Sequence, residues 1–101
     1  MRVLRTAFFR LDEIYRYTRD RWGEPQAQRY IQGLLQAFEG IASHGTPSKP
    51  IPAEFGVDGY CFRYERHLVY WRWLSNGDIG IATVLHERMH QIERFRDAFG
   101  G

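Results

Sequence analysis

The sequence of 101 residues has little of several features that would place a chain in a familiar class. Its single cysteine, Cys61, cannot form a disulfide within the chain, which argues against a disulfide-stabilised secreted domain and suits a reducing cytoplasm. No apolar run approaches the roughly 20 residues of a membrane helix, and the amino-terminal residues lack the apolar run of a signal peptide. We therefore expect a cytoplasmic protein that does not span a membrane.

The chain also lacks a large excess of charge of one sign. The 14 basic and 12 acidic residues leave a formal net charge of +2, which does not by itself predict nucleic-acid binding. Hydrophobic residues make up 44% of the chain and aromatic residues 16%, enough to form a packed core. With no internal repeat or low-complexity segment, residues 1–101 are predicted to form a single domain.

Two helices are predicted from apolar residues that recur at helical spacing. Gly23 is expected to end the first helix, which starts near residue 7, and Pro25 suits the first turn of the second. Because the break is so short, we expect an antiparallel helix hairpin. The apolar face of the first helix comprises Ala7, Leu11, Ile14, Tyr15, Thr18 and Trp22, and that of the second Ala27, Tyr30, Ile31, Leu34, Leu35, Phe38, Ile41 and Ala42.

The remaining segments predict a sheet. Alternating and β-branched residues indicate strands, and Asn76-Gly77 is the strongest short hairpin signal. Prolines and glycines at 43–58 indicate a surface loop. The predicted fold is α+β in the order β-α-α-β-β-β, with the helix hairpin packed on one face of an antiparallel sheet. Its strands are expected at 2–5, 59–65, 67–74 and 79–85, followed by a short carboxy-terminal helix or tail.

Residues 86–90 spell H-E-x-x-H, the signature of zinc proteases. Such a site needs both histidines on one helix and a third ligand beyond them. His86 instead follows an apolar segment that is predicted to be a strand, and Glu93 and Arg96 stand where the longer form of the motif has glycine and histidine. We therefore interpret His86 as the end of a strand and expect neither a metal nor another cofactor.

Four stretches, in order and with normal spacing, resemble the ParE toxins of the RelE/ParE toxin–antitoxin superfamily. LDEIYRYTRDRWG (11–23) and EPQAQRYIQGLLQAFEGIA (24–42) are similar to the two helices of that family, FRYERHLVYWRW (62–73) to its central hairpin, and VLHERM (84–89) to its last strand and the following His-x-Arg. The resemblance is strongest to the plasmid-maintenance branch. The chain departs from the family at Arg10, where an aspartate is usual, and at Glu65, where many members have glycine.

This resemblance implies a RelE-like fold and a toxin that traps DNA gyrase in its cleaved-DNA state. It also implies a cognate antitoxin, a ParD-like ribbon-helix-helix protein whose arm wraps the toxin. On this reading the chain performs no chemistry of its own and makes no specific contact with nucleic acid. The predicted target-binding residues are His86, Arg88, Met89, Phe95 and Phe99. The predicted antitoxin-binding residues are Tyr15, Trp22 and Tyr30.

Two alternative functions are also compatible with the sequence. The sister branch of the superfamily cuts mRNA on the ribosome, and such chemistry needs acid–base groups beside cations. Its candidates here are Arg63, Arg72, His86, Glu87 and Arg88, although no tyrosine follows Tyr70 and Lys49 is the only lysine. The other alternative is a non-toxic module that only binds an antitoxin. The strand aromatics could stack bases, but a sheet covered by two helices favours them as core.

Overall fold

The fold is described by a computed structural model for residues 1–43, 47–53 and 56–88. Helix α1 spans Arg5–Trp22 and helix α2 spans Glu24–Ala42. Gly23 alone separates them, with a φ of 94° that glycine adopts without strain. Pro25 lies in the first turn of α2, where its missing N–H costs no hydrogen bond. The predicted helix hairpin is confirmed, and α1 starts two residues earlier than expected.

Within residues 1–43, 47–53 and 56–88, five strands form one sheet. They are β1 (Arg2–Val3), β2 (Lys49–Pro50), β3 (Tyr60–Tyr64), β4 (His67–Trp73) and β5 (Ile79–His86). The order across the sheet is β1-β5-β4-β3-β2. The α+β prediction is confirmed, with two differences. The sheet is mixed, because β1 runs parallel to β5, and the predicted loop at 43–58 contributes β2, which pairs with β3 at the edge of the sheet. An edge strand tolerates Pro50 because one of its sides makes no ladder bonds.

The turn between β4 and β5 has the predicted Asn-Gly chemistry. Gly77 has a φ of 85°, which favours glycine. The Asn76 side-chain oxygen accepts a hydrogen bond from the Asp78 N–H at 3.0 Å, and the Leu74 N–H donates to the Asp78 carbonyl at 2.7 Å. The turn therefore fixes where β5 begins against β4.

A bulge then shifts the pairing of β5. Tyr70 lies opposite Thr83 and Trp71 lies opposite Ile81, so Ala82 has no partner on β4. A side chain's face normally alternates along a strand. The extra residue lets both Ile81 and Val84 pack in the cluster under the helices.

The core lies between the helix hairpin and one face of the sheet. Its buried members are Ala7, Leu11, Leu34, Phe38, Ile41, Val69, Trp71, Ile79, Ile81 and Val84. A smaller cluster of Ile51, Tyr70 and Leu85 covers the other face. Strand β5 is therefore buried on both faces from Ile79 to Leu85, as its apolar run predicted. Burying each large apolar side chain contributes about 1.5–3 kcal/mol.

Two residues predicted on the apolar faces of the helices are exposed instead, and so is the strand residue Trp73. Trp22 is 68% exposed, Trp73 47% and Leu35 42%. Trp22 and Trp73 are the last residues of α1 and β4. Helical or strand spacing shows which way a side chain points, but it does not show that the end of an element extends past the core. Neither of the two described helices is both long and apolar enough to cross a membrane.

Candidate functional site

An open groove of about 870 Å³ lies beside helix α1, between that helix and the ends of β4 and β5. Its lining mixes apolar, aromatic and charged side chains. They are Arg10, Glu13, Ile14, Tyr17, Thr18, Trp22, Gln26, Tyr30, Glu65, Arg66, His67, Val84, His86 and Arg88. A groove that combines an apolar wall with convergent polar groups is the usual form of a binding site.

The groove joins residues that the sequence assigned to two different surfaces. Trp22 and Tyr30, predicted for the antitoxin, line it together with His86 and Arg88, predicted for the target. Tyr15 lies outside the groove lining, and its hydroxyl donates to a Glu24 carboxylate oxygen at 2.8 Å. The other predicted target-binding residues, Met89, Phe95 and Phe99, lie outside the described residues.

Two histidines lie side by side on neighbouring strands at one end of the groove. His67 begins β4 and His86 ends β5, and the two are directly paired. Their ring centroids are 5.3 Å apart and their planes are nearly perpendicular, at 88°. The Tyr30 hydroxyl lies 2.5 Å from His67 Nδ1, and His86 Nδ1 accepts a hydrogen bond from the Arg88 N–H at 3.1 Å. Helix α2 is thus tied to the sheet through Tyr30.

Burial sets the protonation of this cluster. The pKa of His67 is lowered to about 4, mainly by burial and also by the neighbouring His86, against an opposing effect of Glu87. Burial also raises the pKa of Tyr30 to about 12, against a hydrogen bond from the Arg66 backbone. At neutral pH His67 is therefore uncharged and the Tyr30 phenol keeps its proton.

A salt bridge connects β3 to the turn that follows β5. Arg63 Nη1 lies 2.6 Å from Glu87 Oε2, and this hydrogen bond lowers the pKa of Glu87. The Glu87 N–H also donates to the Arg66 carbonyl at 2.9 Å. Glu87 therefore stays ionised, and Arg63 holds its carboxylate at the end of the sheet where the turn between β3 and β4 lies.

The predicted nuclease residues are only partly brought together. Arg63, His86, Glu87 and Arg88 gather at one end of the sheet. Arg72 pairs with Gly80 at the opposite end of β4. It lies five positions along β4 from His67, which is roughly 17 Å along a strand. Arg72 lines a different hollow, which also contains Tyr60 and Trp73.

The H-E-x-x-H motif does not have the geometry of a zinc protease at its first residues. His86 is the last residue of a strand, and Glu87 and Arg88 form a turn, whereas the protease site requires a helix. The second histidine of the motif, His90, lies outside the described residues. Within the described part of the chain, no group of three His, Cys, Asp or Glu side chains could hold a metal.

Comparison with known proteins assigns the family. A model of the family described as ParE toxin of type II toxin-antitoxin system, parDE, matches residues 2–91. The chain belongs to the ParE toxin family. This family membership implies an antitoxin partner, because the family is described as the toxin of a type II toxin–antitoxin system.

Three curated relatives agree with this assignment. The chain is 33% identical to Toxin ParE of Escherichia coli over 88 residues, which cover 87% of this chain and 84% of that protein. It is 32% identical to Toxin ParE1 of Mycobacterium tuberculosis over 80 residues, covering 78% and 80% of the two chains. It is 35% identical to Toxin ParE1 of Caulobacter vibrioides over 91 residues, covering 88% and 90%.

Several residues that line the groove of this ParE-family toxin were not predicted from the sequence. Arg10 and Tyr17 on α1, together with Arg66 and His67 at the turn between β3 and β4, were not among the predicted site residues. One signal was present for Tyr17, because an aromatic residue on the polar side of an amphipathic helix is often a surface contact. His67 required the strand register, which the sequence alone does not fix.

Proposed function

We propose that this toxin inhibits DNA gyrase by protein–protein binding and traps the cleaved-DNA complex, in the cytoplasm. We further propose that a ParD-like ribbon-helix-helix antitoxin neutralises it. The observation that carries the proposal is the match to the ParE toxin family over residues 2–91. The gyrase target was inferred from a resemblance to this family, and the match supports that inference because it shows that the chain is a member.

The arrangement of the charged groups supports binding rather than RNA cleavage. The carboxylate of Glu87, one of the candidate nuclease residues, is paired with Arg63 at 2.6 Å. Arg72, a candidate phosphate ligand, lies at the far end of β4 from His86. A nuclease needs its acid, base and cations around one phosphate, so this separation argues against the mRNA-cleaving alternative.

The groove is the proposed meeting place of toxin and antitoxin. Its exposed aromatic side chains, Tyr17 at 60% and Trp22 at 68%, are the kind of surface that a partner segment covers. Because His86 and Arg88 line the same groove, an antitoxin that reached them would also cover part of the proposed target surface.

The gyrase proposal is tested with purified toxin, gyrase, ATP and a supercoiled plasmid, in parallel with a translating ribosome and mRNA. We expect linear plasmid after protein denaturation and intact mRNA. Arg88→Gln should reduce linear product several-fold, because it removes an exposed cation from the proposed contact. Arg16→Gln is the matched control, since Arg16 is exposed, pairs with Asp12 and does not line the groove.

The outcomes of this experiment separate the three functions. Cut mRNA with normal supercoiling would favour the nuclease, and His86, Glu87 and the arginines would become catalytic candidates. No change in either substrate would favour the module that only binds an antitoxin.

The antitoxin proposal is tested by the affinity of the toxin for its cognate antitoxin. Trp22→Ala should weaken binding about tenfold or more, as expected for an exposed aromatic anchor. Tyr15→Ala and Tyr30→Ala complete the predicted set. Leu35→Ala is the control, because Leu35 is exposed on α2 and does not line the groove. Unchanged affinity in all three variants would contradict the proposed antitoxin surface.

A further inference from the structure

The first histidine of the H-E-x-x-H motif, His86, lies beside a histidine from outside the motif. His86 lies directly opposite His67 on the neighbouring antiparallel strand. Side chains that face each other in this way have Cβ atoms about 4.5–5.5 Å apart, so their rings meet on the same face of the sheet. The pair lies at the wall of an open groove, where water has access.

We propose that His67 and His86 form a transition-metal site, in which both imidazoles bind one Cu²⁺, Ni²⁺ or Zn²⁺ ion and water completes the coordination. This inference goes beyond the proposed function and does not depend on gyrase or an antitoxin. It differs from a zinc-protease site, whose ligands would be His86 and His90 on one helix.

The spacing of the rings supports the site. Metal–nitrogen bonds to histidine are about 2.0–2.1 Å long. Two imidazoles that share one tetrahedral ion therefore have ring centroids roughly 5 Å apart. The centroids of His67 and His86 are 5.3 Å apart, which is close to that spacing.

The groups around the rings also suit metal binding. A ligating histidine commonly uses its second ring nitrogen to bond another group, which fixes the orientation of the ring. In His67 the second nitrogen is Nδ1, which lies 2.5 Å from the Tyr30 hydroxyl, so Nε2 is the nitrogen that would face the ion. In the tautomer that carries its proton on Nδ1, His67 donates a hydrogen bond to the phenol oxygen, and Nε2 is free to ligate.

His86 requires one local change. Its Nδ1 accepts a hydrogen bond from the Arg88 N–H at 3.1 Å, which places the ring proton on Nε2. Metal binding at Nε2 would move that proton to Nδ1, and the Arg88 amide would bond to water instead. Because Arg88 is exposed, this exchange replaces one hydrogen bond by another without burying a polar group.

Two histidine ligands define which ions should bind. Imidazole suits copper, nickel and zinc, and affinity for a given nitrogen site follows the order in which Cu²⁺ exceeds Ni²⁺ and Zn²⁺. Calcium and magnesium prefer oxygen ligands and should not bind the pair. Mg²⁺ therefore serves as the negative control for a divalent charge without affinity for imidazole.

The test titrates Cu²⁺, Ni²⁺, Zn²⁺ and Mg²⁺ separately into the metal-free toxin, followed by calorimetry and by NMR of the imidazole groups. We expect one Cu²⁺ per chain, weaker Ni²⁺ and Zn²⁺, and a rise in Tm with each bound ion, because a ligand that binds the native state stabilises it. His67→Gln and His86→Gln should each lower the affinity at least tenfold. Tyr30→Phe keeps both ligands and should lower it about tenfold, as loss of an outer-shell partner does.

His44→Gln and His90→Gln are the matched controls, since they remove the other two histidines of the chain. Loss of binding in His90→Gln with binding retained in His67→Gln would overturn the proposal in favour of the linear motif. Absence of binding in the unsubstituted toxin, or unchanged affinity in His86→Gln, would also overturn it. His86 is the deciding position if His67→Gln fails to fold, because it lies at the end of its strand and is partly exposed.

Discussion

Helices α1 and α2 are of nearly equal length, with 18 and 19 residues, but they place their large side chains differently. Helix α1 buries only Ala7, Leu11 and Thr18, whereas α2 buries Ala27, Leu34, Phe38 and Ile41. The exposed large residues show the reverse distribution, with Phe8, Phe9, Tyr17 and Trp22 on α1 and only Leu35 on α2. Helix α2 therefore mainly supplies the core, and α1 supplies much of the surface that a partner can cover.

The largest effect is expected from the core side of α2. Phe38 is fully buried, so Phe38→Ala should lower the free energy of unfolding by about 3–5 kcal/mol, through lost burial and the cavity that remains. Phe8→Ala on α1 should change it by less than about 0.5 kcal/mol, because Phe8 is 61% exposed. Urea unfolding measures both. A comparable loss in the two variants would contradict the division between the helices.

The next effect comes from His67, which β4 holds against Tyr30 of α2. Its pKa is about 4 in the folded protein and about 6.5 in an unfolded chain. The unfolded chain therefore takes up the proton first as the pH falls, so His67 adds its full stability above pH 6.5 and loses it between pH 6.5 and 4. Allowing for partial exposure, the loss should be on the order of 2 kcal/mol.

The measurement is urea unfolding of metal-free toxin at pH 7 and at pH 5, for the unsubstituted protein and for His67→Gln. The glutamine does not titrate, so the variant should lose less stability than the unsubstituted toxin over this range. An identical pH dependence in the two proteins would show that other groups produce the effect.

A smaller change is expected from the hydroxyl of Tyr30. Tyr30→Phe removes the hydrogen bond to His67 and should cost about 1 kcal/mol of stability. Tyr17→Phe is the matched control on α1, because Tyr17 is 60% exposed and its ring contacts the Arg21 guanidinium at 5.1 Å, which phenylalanine can retain. Thermal unfolding of both variants measures the difference. Equal losses would mean that the Tyr30–His67 bond does not tie α2 to the sheet.

The smallest effect on stability is expected at the end of α1. Trp22→Ala should change the free energy of unfolding by less than about 0.5 kcal/mol, because 68% of the side chain is already in water. The same variant is expected to lose antitoxin affinity, so stability and binding should separate at this residue. A loss above 2 kcal/mol in urea unfolding would instead place Trp22 in the core.

The elements that follow from local patterns could be predicted from the sequence. Gly23 and Pro25 indicated the helix hairpin, Asn76-Gly77 indicated the last hairpin, and the apolar run at 79–85 indicated a strand buried on both faces. The parallel pairing of β1 with β5 and the pairing of β2 with β3 could not be predicted, because each depends on a contact between distant parts of the chain.

The pairing of the two histidines shows why the site was harder to predict than the fold. Counting back from the turn at Asn76-Gly77 without a bulge would place Leu85 opposite His67. The bulge at Ala82 adds one residue to β5, and His86 takes that position. A single unpaired residue in the strand therefore decides which side chains meet at the groove. No propensity or spacing rule identified it in advance.

The position of β5 also affects how the chain can fold during its synthesis. This strand follows both helices in the chain, yet it lies between β1 and β4 and packs beneath the helices. The ribosome releases both helices before it releases residues 79–86. Until that strand emerges, the apolar faces of the helices lack the surface on which they pack, and β1 lacks its partner. A nascent toxin therefore exposes its future core until residues 79–86 have emerged from the ribosome.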